Sequence, residues 1–252
     1  MGKTACSILL ILAVIPQAAP APAAAVRIRV AQESRPGLGD FDANVLGHID
    51  AYYEKEKAAS DFYSYQAVSR YSFNGPHPRL QADTSHLFFV TTREGFSLFI
   101  VHDKPSDTDG GAAVMRIKVT GDPNGARVLV FDDPYSDWDS FRAAPGGRDF
   151  STWHRWFPCC TDGIVLGALE GGWKVFAEFP LHDPLTGSQT IFGMKHWKAF
   201  SADGKQVTLK LVQGRRVRLD PIGPLVKNNS RQRERAPRRS AHRLFVFKRK
   251  IP

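Results

Sequence analysis

Cysteine is scarce: three in 252 residues, which excludes a disulfide-knit miniature scaffold. After residue 15 no apolar run approaches the roughly 20 residues that a spanning helix needs, so no membrane span is expected. The C-terminus carries no hydrophobic tail of the kind a lipid anchor requires. Catalytic signatures are also missing. There is no G-x-S-x-G, no phosphate-binding loop, no dinucleotide fingerprint and no H-E-x-x-H. Aromatic residues, in contrast, are plentiful. The 17 Phe, 6 Tyr and 5 Trp supply ample core and exclude disorder of the whole chain.

The N-terminus has the layout of a secretory leader. Lys3 precedes the apolar run Ser7–Ile15, Pro16 ends it, and small residues follow to Ala25. Residues 1–25 are read as a cleaved signal, with the mature start between Ala24 and Val26. A secreted, extracellular product is therefore expected.

Charge is segregated along the chain. The formal net charge is +9. Between Pro221 and Pro252 stand ten basic residues and one acid, Glu234, so the first 220 residues balance at 24 against 24. A neutral body with a basic tail, residues 221–252, is expected. Arg231, Arg233, Arg235, Arg238 and Arg239 are its candidate polyanion-binding residues, for sulfated glycans, acidic matrix proteins or anionic surfaces. The leader argues against nucleic acid as the partner. Asn228-Asn229-Ser230 matches the N-glycosylation pattern at Asn228, and Arg235-Ala-Pro-Arg238-Arg239 resembles a convertase cleavage site.

Residues 26–220 read as one β-rich domain, an antiparallel sandwich or jelly-roll-like fold. A single helix is expected near 42–60, where Val45, Ile49 and Tyr53 recur at four-residue spacing. Paired strands are expected on either side of Arg93-Glu94-Gly95, of Gly121–Gly125, of Glu170-Gly171-Gly172 and of Asp203-Gly204. Ala113, Met115, Ile117 and Val119 alternate with polar neighbours, so they face inward. Val217 and Leu219 suggest a short edge strand.

The most informative stretch is 132–163. Asp132, Asp133, Asp137, Asp139 and Asp162 lie close in sequence and are candidate Ca²⁺ ligands, since a hard cation takes six to eight oxygens from neighbouring loops. The bland alternative is that Asp133-Pro134 and Asp162-Gly163 only form turns. Asp107-Thr108-Asp109-Gly110 imitates the centre of an EF-hand loop but has Pro105 and Arg116 at its end ligand positions, so that reading fails. With Cys6 removed in the leader, Cys159 and Cys160 are the remaining cysteines. A vicinal disulfide, buried free thiols and intermolecular bridges all remain open for them, because adjacent Cα atoms lie closer than an ordinary disulfide spans. Trp153 and Trp156 are candidate glycan-stacking residues, against the reading that they are core.

Phe131-Asp132-Asp133-Pro134, the Trp-rich stretch after it and Cys159-Cys160-Thr161-Asp162-Gly163 together resemble secreted proteins of the PEP-CTERM type on bacterial surfaces, and extracellular matrix proteins of marine animals. The likeness spans residues 60–200. It implies an extracellular β-rich module that is structural or adhesive rather than catalytic. No PEP motif or terminal apolar helix follows, so anchoring by that route is not implied. The expectation is thus a matrix component, with mineral among its partners, holding Ca²⁺ or acidic ligands. Two alternatives stand beside it. One is a Ca²⁺-dependent glycan-binding module. The other is a hydrolase using Asp132, Asp133 or Asp162.

Overall fold

The computed structural model describes residues 26–65, 71–134 and 139–223. Residues 1–25, read above as a leader, together with Asp137, Trp138, Asn228 and arginines 231, 233, 235, 238 and 239, lie outside the described residues. The body is mainly β. In chain order the strands are β1 (Arg27–Gln32), β2 (Val45–Asp50), β3 (Tyr52–Tyr53), β4 (Thr84–Thr92), β5 (Gly95–His102), β6 (Gly111–Thr120), β7 (Arg127–Phe131) and β8 (Ser140–Ala143). They continue with β9 (Asp149–Trp156), β10 (Asp162–Leu169), β11 (Lys174–Glu178), β12 (Ile191–Phe192), β13 (His196–Phe200), β14 (Gln206–Leu209) and β15 (Val217–Ile222). A helix, α1 (Ala59–Tyr63), precedes β4.

Two sheets form a sandwich. Sheet A runs β2-β1-β15-β11-β6-β9-β8 with β12 beside β6, and sheet B runs β14-β13-β4-β5-β10-β7 with β3 beside β4. Pairing is antiparallel except for β13 with β4 and β3 with β4. Between the sheets lies the main core. Ala113, Met115, Ile117 and Val119 of β6 face Leu87, Phe89, Leu98, Ile100, Ile164 and Leu166 of sheet B. The alternation predicted for β6 is therefore as expected. Sheet B has a second core on its other face, where Phe62, Tyr63 and Phe73 pack on Phe88, Val90, Phe99, Val101 and Val165. Covered on both faces, β4 and β5 read as nearly unbroken apolar runs rather than alternating ones.

Four expectations need correction. Residues 42–60 are not one helix: Val45–Asp50 is strand β2, and α1 starts only at Ala59. A spacing of four is also a multiple of the strand period of two, so Val45 and Ile49 fit one strand face as well as one helix face. The turn at Gly121–Gly125 does not return β7 onto β6. It carries the chain to sheet B, where β7 pairs β10. Likewise β10 and β11 are not a hairpin, because β11 pairs β6 and β15 in sheet A. Fully buried Trp173 fills that corner, with its ring 5.2 Å from Phe89 and 5.5 Å from Phe96. Finally, β15 is interior, between β1 and β11, and runs to Ile222, past the boundary expected at 220. Its charges are neutralised locally: Arg218 meets Asp220 at 2.9 Å and Asp42 at 2.5 Å, under the ring of Phe41.

His86 shows how the double core treats a titratable group. It is fully buried in β4, its Nδ1 lies 3.0 Å from the Val101 carbonyl, and its Nε2 accepts from the Gln81 amide at 2.9 Å. Both nitrogens are committed in the neutral ring. Burial pushes its pKa down to about 3. The unfolded chain, with a pKa near 6.5, takes up a proton that the folded chain refuses, so this stability is lost as pH falls below 6.5 toward 3. His86→Gln keeps an acceptor and removes the titration. Chemical denaturation from pH 4 to 6 should show a dependence on pH flatter than wild type by up to about 1.4 kcal/mol per unit. Parallel profiles would mean that His86 does not resist protonation.

Candidate functional sites

A polar centre sits inside one end of the sandwich, and strand register builds it. In β9, Phe150, Thr152, His154 and Trp156 face inward because they pair with the inward residues of β6. Asp162 opens β10 opposite His102, the last residue of β5. Asp132 follows β7 and is fixed by its amide donating to the Gly163 carbonyl at 3.0 Å. Asp139 lies just before β8. Gly163 is needed here, since a Cβ would fall 2.4 Å from the Ile100 oxygen and 2.8 Å from Tyr63 Oη.

The hydrogen bonds converge. Asp162 Oδ1 lies 2.8 Å from His154 Nδ1 and accepts from the Gly163 amide at 2.7 Å. The Arg155 amide donates to Asp139 Oδ1 at 2.7 Å and to Asp162 Oδ2 at 2.9 Å. Tyr63 donates to Asp132 Oδ2 at 2.7 Å, and the Asp133 amide donates to Asp132 Oδ1. His102 lies 5.1 Å from His154, ring to ring, and is stacked on Trp156.

Burial dominates the electrostatics. It pushes Asp132 up to about 9, with the Asp162 charge adding to the effect, and Asp139 and Asp162 up to about 8. The same burial pushes His154 down to about 4 and His102 well below the usual imidazole range. The close His154–Asp162 contact is thus a bond between neutral groups rather than an ion pair.

The four described aspartates, Asp132, Asp133, Asp139 and Asp162, therefore do not form one shell. Asp139 and Asp162 meet. Both oxygens of Asp132 are engaged by Tyr63 and the Asp133 amide. Asp133 itself is held by the Tyr65 hydroxyl. Asp107 and Asp109, dismissed above as an EF-hand, approach Asp83, where Lys195 already supplies a cation at 2.8 Å from Asp83 Oδ2. Trp153 and Trp156 are corrected as glycan platforms: both are buried, donating to Asp183 at 3.0 Å and Asp103 at 2.8 Å. Among the three options for the cysteines, the structure takes the vicinal disulfide, in the turn from β9 to β10. His102 and Tyr63 were not anticipated, and neither was His154 as a partner of the aspartates. Alternation along β9 was the available signal for His154, whereas the other two are placed by tertiary contacts.

A second feature lies on the outward face of sheet A. Arg142, Ser151, Arg116 and Glu178 are cross-strand neighbours in one row over β8, β9, β6 and β11. Lys118 and Lys174 project from the same face, and Asp149 stands opposite Lys118. Arg116, Lys118, Arg142 and Lys174 are exposed, and among the described residues none lies within ion-pair distance of a carboxylate. The Arg142 guanidinium rests 5.6 Å over the Trp153 ring. At the edge of sheet B a surface groove of about 560 Å³ is lined by Tyr52, His77, Arg79, Gln81 and Gln206.

No protein-family model, curated protein or solved structure matches this chain.

The protonation of Asp132 is testable. Its pKa is raised, so its contribution is complete below the ordinary value of 3.8 and is lost as pH rises through about 9. Asp132→Asn presents the same acceptor and donor as the protonated acid. It should compare better with wild type at pH 8 than at pH 5 in thermal melts. Tyr63→Phe should cost about 1–3 kcal/mol by leaving a buried oxygen unpaired. An Asn variant that is worse at pH 8 than at pH 5 would mean that Asp132 is ionised in the fold.

Proposed function

We propose that this protein is a secreted, adhesive β-sandwich of an extracellular matrix, and that it holds acidic glycans along the outward face of sheet A. The observation that carries the reading is the set of four exposed cations on that face, none within ion-pair distance of a carboxylate among the described residues. The chain up to residue 220 is formally neutral, yet Arg116, Lys118, Arg142 and Lys174 share one surface with Glu178, Asp149 and, near Lys174, Asp42 as acids. Arg142 and Arg116 are two strands apart, about 10 Å, which is close to the length of a disaccharide unit. Two successive carboxylated or sulfated repeats would thus each meet a cation, Arg142 and Arg116. The sequence likeness to extracellular surface and matrix proteins and the leader support the same compartment. The basic tail adds a second polyanion-binding segment.

The test is elution from immobilised heparin and alginate. Wild type should be retained and should elute at a salt concentration that screens exposed charges. Arg116→Glu with Arg142→Glu should elute earlier than wild type. So should a separate variant with Arg231, Arg233, Arg235, Arg238 and Arg239 changed to Gln, and neither set should alter the thermal midpoint. An unchanged elution position for the sheet variant would overturn the assignment of this face.

A further inference from the structure

We propose that Asp139, His154 and Asp162 hold one divalent transition cation inside the sandwich, with Zn²⁺ the ion that best fits their donors. One carboxylate oxygen from each aspartate and one ring nitrogen of His154 lie within 4.8 Å of one another. The three side chains are buried and come from separate segments: the lead into β8, the inward face of β9 and the start of β10. The shared Arg155 amide shows how tightly the two carboxylates converge.

The independent sign of a missing partner is the excess of acceptors over donors. Asp139 Oδ2 and His154 Nε2 are buried with no hydrogen-bond partner. Neighbouring His102, fully buried, has neither ring nitrogen paired. Buried polar groups are as a rule satisfied, and a cation between the two carboxylates would satisfy Asp139 Oδ2. Donor chemistry then selects the ion. Ca²⁺ takes six to eight oxygens, whereas among the described residues this centre offers two carboxylates and an imidazole, with Asp132 turned to Tyr63 and Asp133 held by Tyr65. Imidazole with carboxylates suits Zn²⁺ and its neighbours, and three protein donors leave a coordination position open. The Ca²⁺ expected from the acidic sequence is thus replaced at this centre by a softer ion. This inference is independent of glycan binding at the sheet surface.

The experiment uses the full secreted chain, stripped with chelator, desalted, and exposed separately to Zn²⁺, Co²⁺ and Ca²⁺. The expected result is one Zn²⁺ retained per chain through desalting, a higher thermal midpoint with Zn²⁺ than with chelator, and a visible absorption spectrum with Co²⁺ typical of nitrogen and oxygen ligands. Ca²⁺ should be neither retained nor stabilising. Asp139→Asn and His154→Gln should each abolish retention. If either variant fails to fold, the Co²⁺ spectrum of wild type decides. A wild type without stoichiometric Zn²⁺ and without a Co²⁺ spectrum would overturn the proposal and leave a proton shared by the two carboxyls. Retention of Zn²⁺ by a folded Asp139→Asn variant, or equal retention of Ca²⁺ by wild type, would overturn it as well.

Discussion

Sheet B is buried on both faces, and the rest of the structure is arranged around that constraint. One face meets sheet A. The other is closed by α1 and the segment carrying Phe73, whose rings pack on Phe88 and Phe99. Burying two faces removes a large apolar area from water, the dominant favourable contribution to folding. It also leaves sheet A to supply the sandwich's open surface. Half of that surface is capped in turn, over β1 and β15, by the segment bearing Phe41, Asp42 and Glu33. Phe41 also reaches Phe176 of β11, so the open part is the stretch of β6, β9 and β8 around Arg116, Lys118 and Arg142, with Lys174 at its β11 margin.

The same closure explains the polar centre. The ends of β5, β7 and β9 and the starts of β8 and β10 lie close together and bring in Asp132, Asp139, Asp162, His102 and His154 with little access to water. A dry interior does not tolerate several like charges, so the acids keep protons or share a cation. The vicinal disulfide sits in the turn that brings β9 round to β10, with Thr161 between it and Asp162. Covalent constraint there and Gly163 just beyond it fix the Asp162 carboxylate against His154. Position in the fold, rather than local sequence, has made these residues a centre.

Much of the fold was legible. Alternation in β6, the hairpin around Arg93-Glu94 and the hairpin around Asp203-Gly204 follow from local pattern and turn chemistry. What was not legible was partner choice. Glycine-rich turns at 121–125 and 170–172 look like hairpins, yet they are corners between sheets, because apolar patterning records which side is buried and not against what. The centre was half legible. Clustered aspartates signalled it, and Asp139 and Asp162 do meet, but Asp132 and Asp133 differ in facing although adjacent. Trp153 and Trp156 looked available as stacking faces until register turned Trp156 into the core and loop residue Asp183 closed over Trp153. The open face of sheet A was invisible, because Arg116, Arg142 and Lys174 are far apart in sequence and meet only through pairing.

The central claim is that the open half of sheet A receives acidic glycan, and amide chemical-shift mapping with a sulfated or uronate oligosaccharide tests it most directly. Titration should shift amides of β6, β8, β9 and β11, with the largest changes around Arg116, Lys118 and Arg142. Shifts confined to the groove at Tyr52, Gln81 and Gln206, or no shifts within the body of the chain, would contradict it.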